Sequence, residues 1–171
     1  MLAEPFFVLH SFDLEILDLG EIAKIFAKNT ENGDLLLLSG KVGTGKTEFA
    51  RLFIKANAKK ENIDIEEVSS PTFSLIQSYE FKCHKISHID LYRVSSELEL
   101  FELGIPDIFD SQITILEWPE ILEKESLSRY VSINILETKK LKDYRDVEVA
   151  FFGEGWDDLI GALLGLSLIH I

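Results

Sequence analysis

Gly40-Lys41-Val42-Gly43-Thr44-Gly45-Lys46-Thr47 is a complete G-x-x-x-x-G-K-[ST] run, and phosphate chemistry asks for each of these residue types. Glycines let the backbone curl so that successive N–H groups point inward and cradle phosphate oxygens. Such a loop delivers those oxygens to a helix N-terminus, whose unpaired N–H groups and dipole favour negative charge. Lys46 is then spaced to reach β- and γ-phosphates, and the Thr47 hydroxyl to ligate Mg²⁺. A phosphate-bound Mg²⁺ calls for an acidic group from elsewhere in the chain. Asp90 closes the run Ile86-Ser87-His88-Ile89-Asp90, at a strand's C-terminal end, where open α/β sheets collect ligands. Glu117 follows the apolar residues 113–116 in the same way, and a carboxylate there can align water or assist the metal. Plainer roles exist for both: Asp90 as a turn or helix cap, Glu117 as a surface acid ahead of Pro119.

These groups work only if secondary structure brings them together. Residues 35–38 are four leucines after the turn signal Asn32-Gly33-Asp34, a run suited to a strand covered on both faces, as in a parallel sheet. Leu19, Ile22, Ala23 and Phe26 before it, and Phe49, Leu52, Phe53 and Ala56 after the loop, have the spacing of amphipathic helices. The phosphate loop therefore has its required strand before it and helix after it. Residues 6–9 read as a short edge strand. Residues 74–81 and 85–91 read as strands joined through Cys83 and His84. Ser96 with Glu99 is a capping-box pattern, and Gly104 stands where the following helix should stop. Residues 113–116 form a second buried-type strand, and 130–136 and 147–152 alternate like an antiparallel pair. The expectation is an α/β fold of the P-loop NTPase type: a mostly parallel sheet flanked by helices, with antiparallel strands toward the C-terminus.

Composition narrows the function classes. The chain has 171 residues and a net charge of −13, a length suited to one domain. A protein that grips nucleic acid unaided usually shows a basic face, so at this charge that role would need a strongly polarised surface or a partner. The single cysteine, Cys83, excludes an internal disulfide and a cysteine-rich zinc site and is compatible with a reducing cytosol. Glu4 stands near an N-terminus with no early Lys or Arg, unlike a secretory leader. No apolar run approaches the ~20 residues of a membrane span. The location expected is cytoplasmic, with no membrane partner. Lys139, Lys140, Lys142 and Arg145 make a local basic stretch, which reads as a solvated turn or a docking point for a nucleic acid or a partner. His84 and His88 have no Cys or carboxylate set at zinc-ligand spacing. Residues 166–171 match one reading frame of a sequencing adapter, so residues 1–165 are read as the single domain and 166–171 as non-native.

Five motifs then agree in order: Gly40 to Thr47, Ser70-Pro71-Thr72-Phe73, His88-Ile89-Asp90-Leu91-Tyr92-Arg93, Leu103-Gly104-Ile105 and Glu117-Trp118-Pro119. This arrangement resembles the TsaE family across about residues 10–150. The resemblance implies a bacterial P-loop ATPase that uses ATP and Mg²⁺ in tRNA threonylcarbamoyladenosine biosynthesis. It also implies two partners, TsaB and TsaD, with tRNA reached through them. By the same resemblance, Gly40 through Glu48 hold the nucleotide. Lys46, Thr72, Asp90 and Glu117 carry the catalytic work, with Thr72 in a switch-like loop near the γ-phosphate. Thr47, Asp90 and Glu117 serve the metal, and Trp118 lies beside the nucleotide, although core packing is the usual fate of a Trp. Family members commonly have Asp where this chain has Lys41 and Thr where it has Glu48.

Other P-loop classes fit less well. A small-molecule kinase usually closes an arginine-bearing lid over the transferred phosphate, and the four arginines here form no such cluster. A GTP switch lacks its Asn-Lys-x-Asp motif, and the one Asp-x-x-Gly, Asp158 to Gly161, falls too late. A module that binds ATP and scarcely hydrolyses it stays open.

Overall fold

The run of four leucines is the centre of a seven-stranded sheet. The computed structural model describes residues 4–15, 18–138 and 143–169. Its elements are β1 (Phe7–Glu15), α1 (Leu19–Asn29), β2 (Leu35–Ser39), α2 (Lys46–Lys60), β3 (Ile76–Glu80) and β4 (Lys85–Asp90). There follow α3 (Glu97–Glu102), α4 (Ile105–Phe109), β5 (Ile113–Glu117), β6 (Tyr130–Glu137), β7 (Tyr144–Phe152) and α5 (Asp157–Ile169). The strand order is β1-β7-β6-β2-β5-β4-β3. The central four, β6, β2, β5 and β4, are mutually parallel.

β2 is apolar throughout because both faces of the sheet are covered. Leu36 and Leu38 enter a core shared with α1, α2 and α5, while Leu35 and Leu37 enter a second core with Leu100 of α3 and Ile105 of α4. Each such leucine contributes roughly 1.5–3 kcal/mol on leaving water. On the first face the predicted helical stripes are inward: Leu19, Ile22, Ala23 and Phe26 of α1 and Phe49 and Phe53 of α2 are buried. Phe26 meets Phe49 edge to face at 5.7 Å, which ties α1 to α2 close to the phosphate loop. The Ser96 hydroxyl accepts the Glu99 N–H at 3.4 Å, and the Glu99 carboxylate returns to the Ser95 N–H at 3.2 Å. That is a capping box displaced by one residue. Gly104, at φ 67°, separates α3 from α4 as its position predicted.

Antiparallel pairing is more widespread than the expected C-terminal strands. β7 does pair antiparallel with β6, but β1 also pairs with β7, and β3 pairs antiparallel with β4 at the other edge. The edge strand expected at 6–9 runs on to Glu15, because its register on β7 continues past a bulge between Ser11 and Leu14. α5 buries Leu159, Ile160 and Leu163, and Leu166 packs against the same core; residues 170 and 171 lie outside the described residues. Among the described residues no helix is long and apolar enough to cross a membrane.

Candidate functional site

Residues 40–45 leave the C-terminal end of β2 and return as the N-terminus of α2. Glycine is required at Gly40 on two counts. Its φ is 134°, and a Cβ there would stand 2.3 Å from the Ile135 carbonyl oxygen on β6 and 2.8 Å from the Thr44 hydroxyl. Gly45, at φ 112°, caps α2 in a conformation that costs other residues free energy. The Thr44 hydroxyl donates to the Lys41 carbonyl at 3.0 Å. Lys41 and Val42 form the exposed crest, and Glu48 turns along the helix to Arg51 at 3.3 Å.

From outside, the loop is held by Arg145. Its Nε donates to the Thr44 carbonyl at 2.8 Å, one terminal nitrogen reaches the Gly43 carbonyl at 3.4 Å, and the other the Tyr144 carbonyl at 2.7 Å. This corrects the expectation of a solvated basic turn: Arg145 is buried on β7, on the same face as Val147 and Val149. Strand alternation turns every second residue inward, and here the inward residue meets the Thr44 and Gly43 carbonyls of the loop. Lys139, Lys140 and Lys142 of the same stretch lie outside the described residues. Arg145→Ala is expected to lower unfolding free energy by about 2–4 kcal/mol, since it strips charge-assisted bonds from buried carbonyls. Urea denaturation measures the loss, and hydrogen exchange at 43–45 reads the loosened loop.

Lys46 is buried at the first turn of α2. Its ammonium donates to the carbonyls of Gly40 (2.7 Å) and Lys41 (2.9 Å) and lies 3.8 Å from the centre of the Trp118 ring. Burial pushes its pKa down, against the upward pull of Glu117, Glu120 and Asp90. Trp118 has a left-handed backbone, φ 61°, unusual for a bulky residue and frequent at functional positions. Its N–H is spent on the Leu38 carbonyl at 3.2 Å, and its ring meets Tyr92 at 5.0 Å.

The two strand-end acids are neighbours. Parallel pairing sets Asp90 of β4 opposite Glu117 of β5, and Glu117 opposite Leu38 of β2. Both acids are buried. Glu117 Oε2 accepts the Thr47 hydroxyl at 2.9 Å, and its Oε1 meets His88 Nε2 at 2.8 Å. Asp90 Oδ2 accepts the Thr72 hydroxyl at 2.7 Å, and Oδ1 the Tyr92 N–H at 2.9 Å. Thr72 is in turn 2.9 Å from the Ser70 hydroxyl. The structure thus gathers Lys46, Thr47, Thr72, Asp90, Glu117 and Trp118 at one end of the sheet, and leaves the Glu48 side chain turned away. Among the described residues no group of three or more His, Cys, Asp or Glu forms a ready metal cage.

Spacing alone did not single out His88 and Arg145. A signal existed for His88, which shares a strand face with Asp90 two residues later. For Arg145 none was present locally, since its partners in the glycine loop are about a hundred residues away.

A parallel sheet whose central strand turns through a glycine loop into a helix, with carboxylates ending the next two strands, defines a protein of the P-loop α/β class. The model of the family described as "Threonylcarbamoyl adenosine biosynthesis protein TsaE" matches residues 15–147, and the chain belongs to the TsaE family. The Rickettsia typhi tRNA threonylcarbamoyladenosine biosynthesis protein TsaE is 35% identical over 113 residues, 66% of this chain and 76% of that protein. The protein of the same name from Borreliella burgdorferi is 44% identical over 92 residues, 52% and 62% of the two chains. The crystal structure of Bacillus subtilis YdiB superposes with a TM-score of 0.67 at 22% identity, covering 94% of this chain and 97% of that one, a likeness of fold.

Proposed function

We propose that the chain binds ATP with Mg²⁺ and hydrolyses it in support of tRNA N6-threonylcarbamoyladenosine synthesis, acting with TsaB and TsaD and reaching tRNA through them. Family membership supports the pathway. The observation that carries the chemistry is the Thr47–Glu117 hydrogen bond set beside Asp90 at the mouth of the glycine loop.

The residues present fit the nucleotide and its metal. The side-chain-free cradle at Gly40, Gly43 and Gly45 has positive φ throughout, so a Cβ at any of them would be strained, and at Gly40 would meet backbone. Mg²⁺ is commonly held by one or two carboxylates together with substrate phosphates rather than by an all-protein cage, which agrees with a Thr47 hydroxyl and one neighbouring acid as its protein ligands. Bound there, Mg²⁺ would neutralise charge on the phosphoryl oxygens. Residues 40–46 offer N–H groups to phosphate. Lys46 exchanges its carbonyl acceptors for phosphate oxygens, Thr72 approaches from the switch-like loop, and Glu117 orients the attacking water. Trp118 flanks the site, its ring beneath the Lys46 ammonium.

Reconstitution of threonylcarbamoyl transfer with TsaB, TsaD, tRNA and an activated threonylcarbamoyl donor tests the reading. Multiple turnovers are expected only when this protein and ATP are both present; equal turnover in its absence removes the proposal. A pH effect follows from Lys46. Because burial lowers its pKa, the ammonium that grips phosphate is lost at a pH below that of an ordinary lysine. ATP affinity is therefore expected to decline as pH rises, and to do so earlier than free lysine titrates. Calorimetric titration at rising pH checks the sign.

A further inference from the structure

We propose that His88 is a positioning residue whose Nε2–H fixes the Glu117 carboxylate, and through it the Thr47 hydroxyl. The inference rests on the ATP and Mg²⁺ reading given above.

His88 is fully buried on β4. Asp90, two residues on, shares its face, and His88 Nε2 lies 2.8 Å from Oε1 of Glu117, the register partner of Asp90 on β5. A carboxylate only accepts hydrogen bonds, so the proton lies on Nε2 and the ring donates. Nδ1 then carries a lone pair, and it has no hydrogen-bond partner among the described residues. This is the less costly assignment, because the opposite tautomer would leave a buried N–H unsatisfied and set two acceptors against each other. Glu117 is held at both ends: Oε1 by His88, Oε2 by Thr47 at 2.9 Å.

The two holds differ in permanence. Thr47 is at the first turn of α2 and its hydroxyl is the group that metal ligation would claim. His88 sits within β4, paired on one side with Gln77 of β3 and on the other with Ile115 of β5, and is fully buried. The imidazole is therefore the fixed donor, and the rotamer of Glu117 persists whichever way the Thr47 hydroxyl turns. A His that merely filled core volume would need no particular nitrogen at this point.

That difference gives the test. Counting bonds from Cα, the amide nitrogen of a glutamine falls where His Nε2 stands, and that of an asparagine where Nδ1 stands. In His88→Gln the donor to Glu117 is retained; in His88→Asn it is lost. The Mg²⁺ concentration needed to raise ATP affinity is expected to stay within about 3-fold of native in His88→Gln and to increase about 10-fold or more in His88→Asn, the scale of one charge-assisted hydrogen bond. ATP binding in excess chelator is expected to be alike in all three proteins. Equal shifts in both variants, or none in His88→Asn, overturn the proposal. Should a variant fail to fold, the native protein still decides: ¹⁵N spectra of its histidines are expected to show His88 protonated at Nε2 and bare at Nδ1, and the reverse tautomer overturns the assignment. If the native protein shows no Mg²⁺-dependent ATP binding, the functional reading fails instead, and the tautomer still tests the hold on Glu117.

Discussion

Lys46→Ala is expected to lower ATP affinity by about 100-fold, roughly 2.7 kcal/mol at ten-fold per 1.4 kcal/mol. The ammonium is the one cation placed between the loop and the two strand-end acids among the described residues that line the site: it already donates to the Gly40 and Lys41 carbonyls and lies over Trp118. Hydrogen bonds to charged groups contribute about 1.5–3 kcal/mol each, and phosphate oxygens are stronger acceptors than the carbonyls they would replace. Lys46→Met separates charge from packing. It keeps an unbranched apolar side chain of similar length and should bind ATP as weakly as the alanine variant. Titration calorimetry measures both; native affinity in Lys46→Met would show that the lysine only packs. In the free protein the same substitutions remove a buried cation from the neighbourhood of Glu117 and Asp90, so thermal unfolding should accompany the titration.

How far these residues could be found before the fold was known depends on the range of their interactions. The loop is local: strand, glycines and helix lie within one stretch, so Leu36, Gly40, Lys46 and Phe49 were all placed by their spacing. The strand-end acids were legible for a related reason. A buried strand broadcasts itself as an apolar run, and the acid that ends it is conspicuous, as Glu117 is after residues 113–116. What spacing could not give was partnership. That Thr47 donates to Glu117, and Thr72 to Asp90, depends on β4 and β5 lying side by side in register, a property of the sheet and of no single segment. Arg145 shows the limit most sharply. It stands near lysines in sequence, and only the pairing of β7 with β6 turns it under the loop. α5 escaped for a different reason: residues 159–169 are nearly all apolar, so no polar face marks a 3.6-residue period.

Asp90 provides the second large effect, and it falls on turnover rather than binding. Asp90→Ala is expected to keep ATP affinity in excess chelator within about ten-fold of native, to abolish the gain that Mg²⁺ provides, and to reduce hydrolysis by about 100-fold or more, the scale on which removing one transition-state contact acts. The separation from Lys46 follows from geometry. Lys46 belongs to the cradle itself, whereas Asp90 reaches the site from β4 and contacts the switch-like residue Thr72 at 2.7 Å. Asp90→Asn sharpens the result. Its amide keeps an oxygen for the Tyr92 N–H and offers the Thr72 hydroxyl an N–H in place of an acceptor, which the hydroxyl meets by accepting. The local turn should therefore survive, while the negative charge is gone. If the charge is what matters, the asparagine variant loses Mg²⁺ dependence as completely as the alanine variant and unfolds closer to the native temperature. If the contact to Thr72 is what matters, asparagine recovers most of the activity. Hydrolysis followed against Mg²⁺ concentration tells these apart, and native rates in Asp90→Ala would place the metal elsewhere.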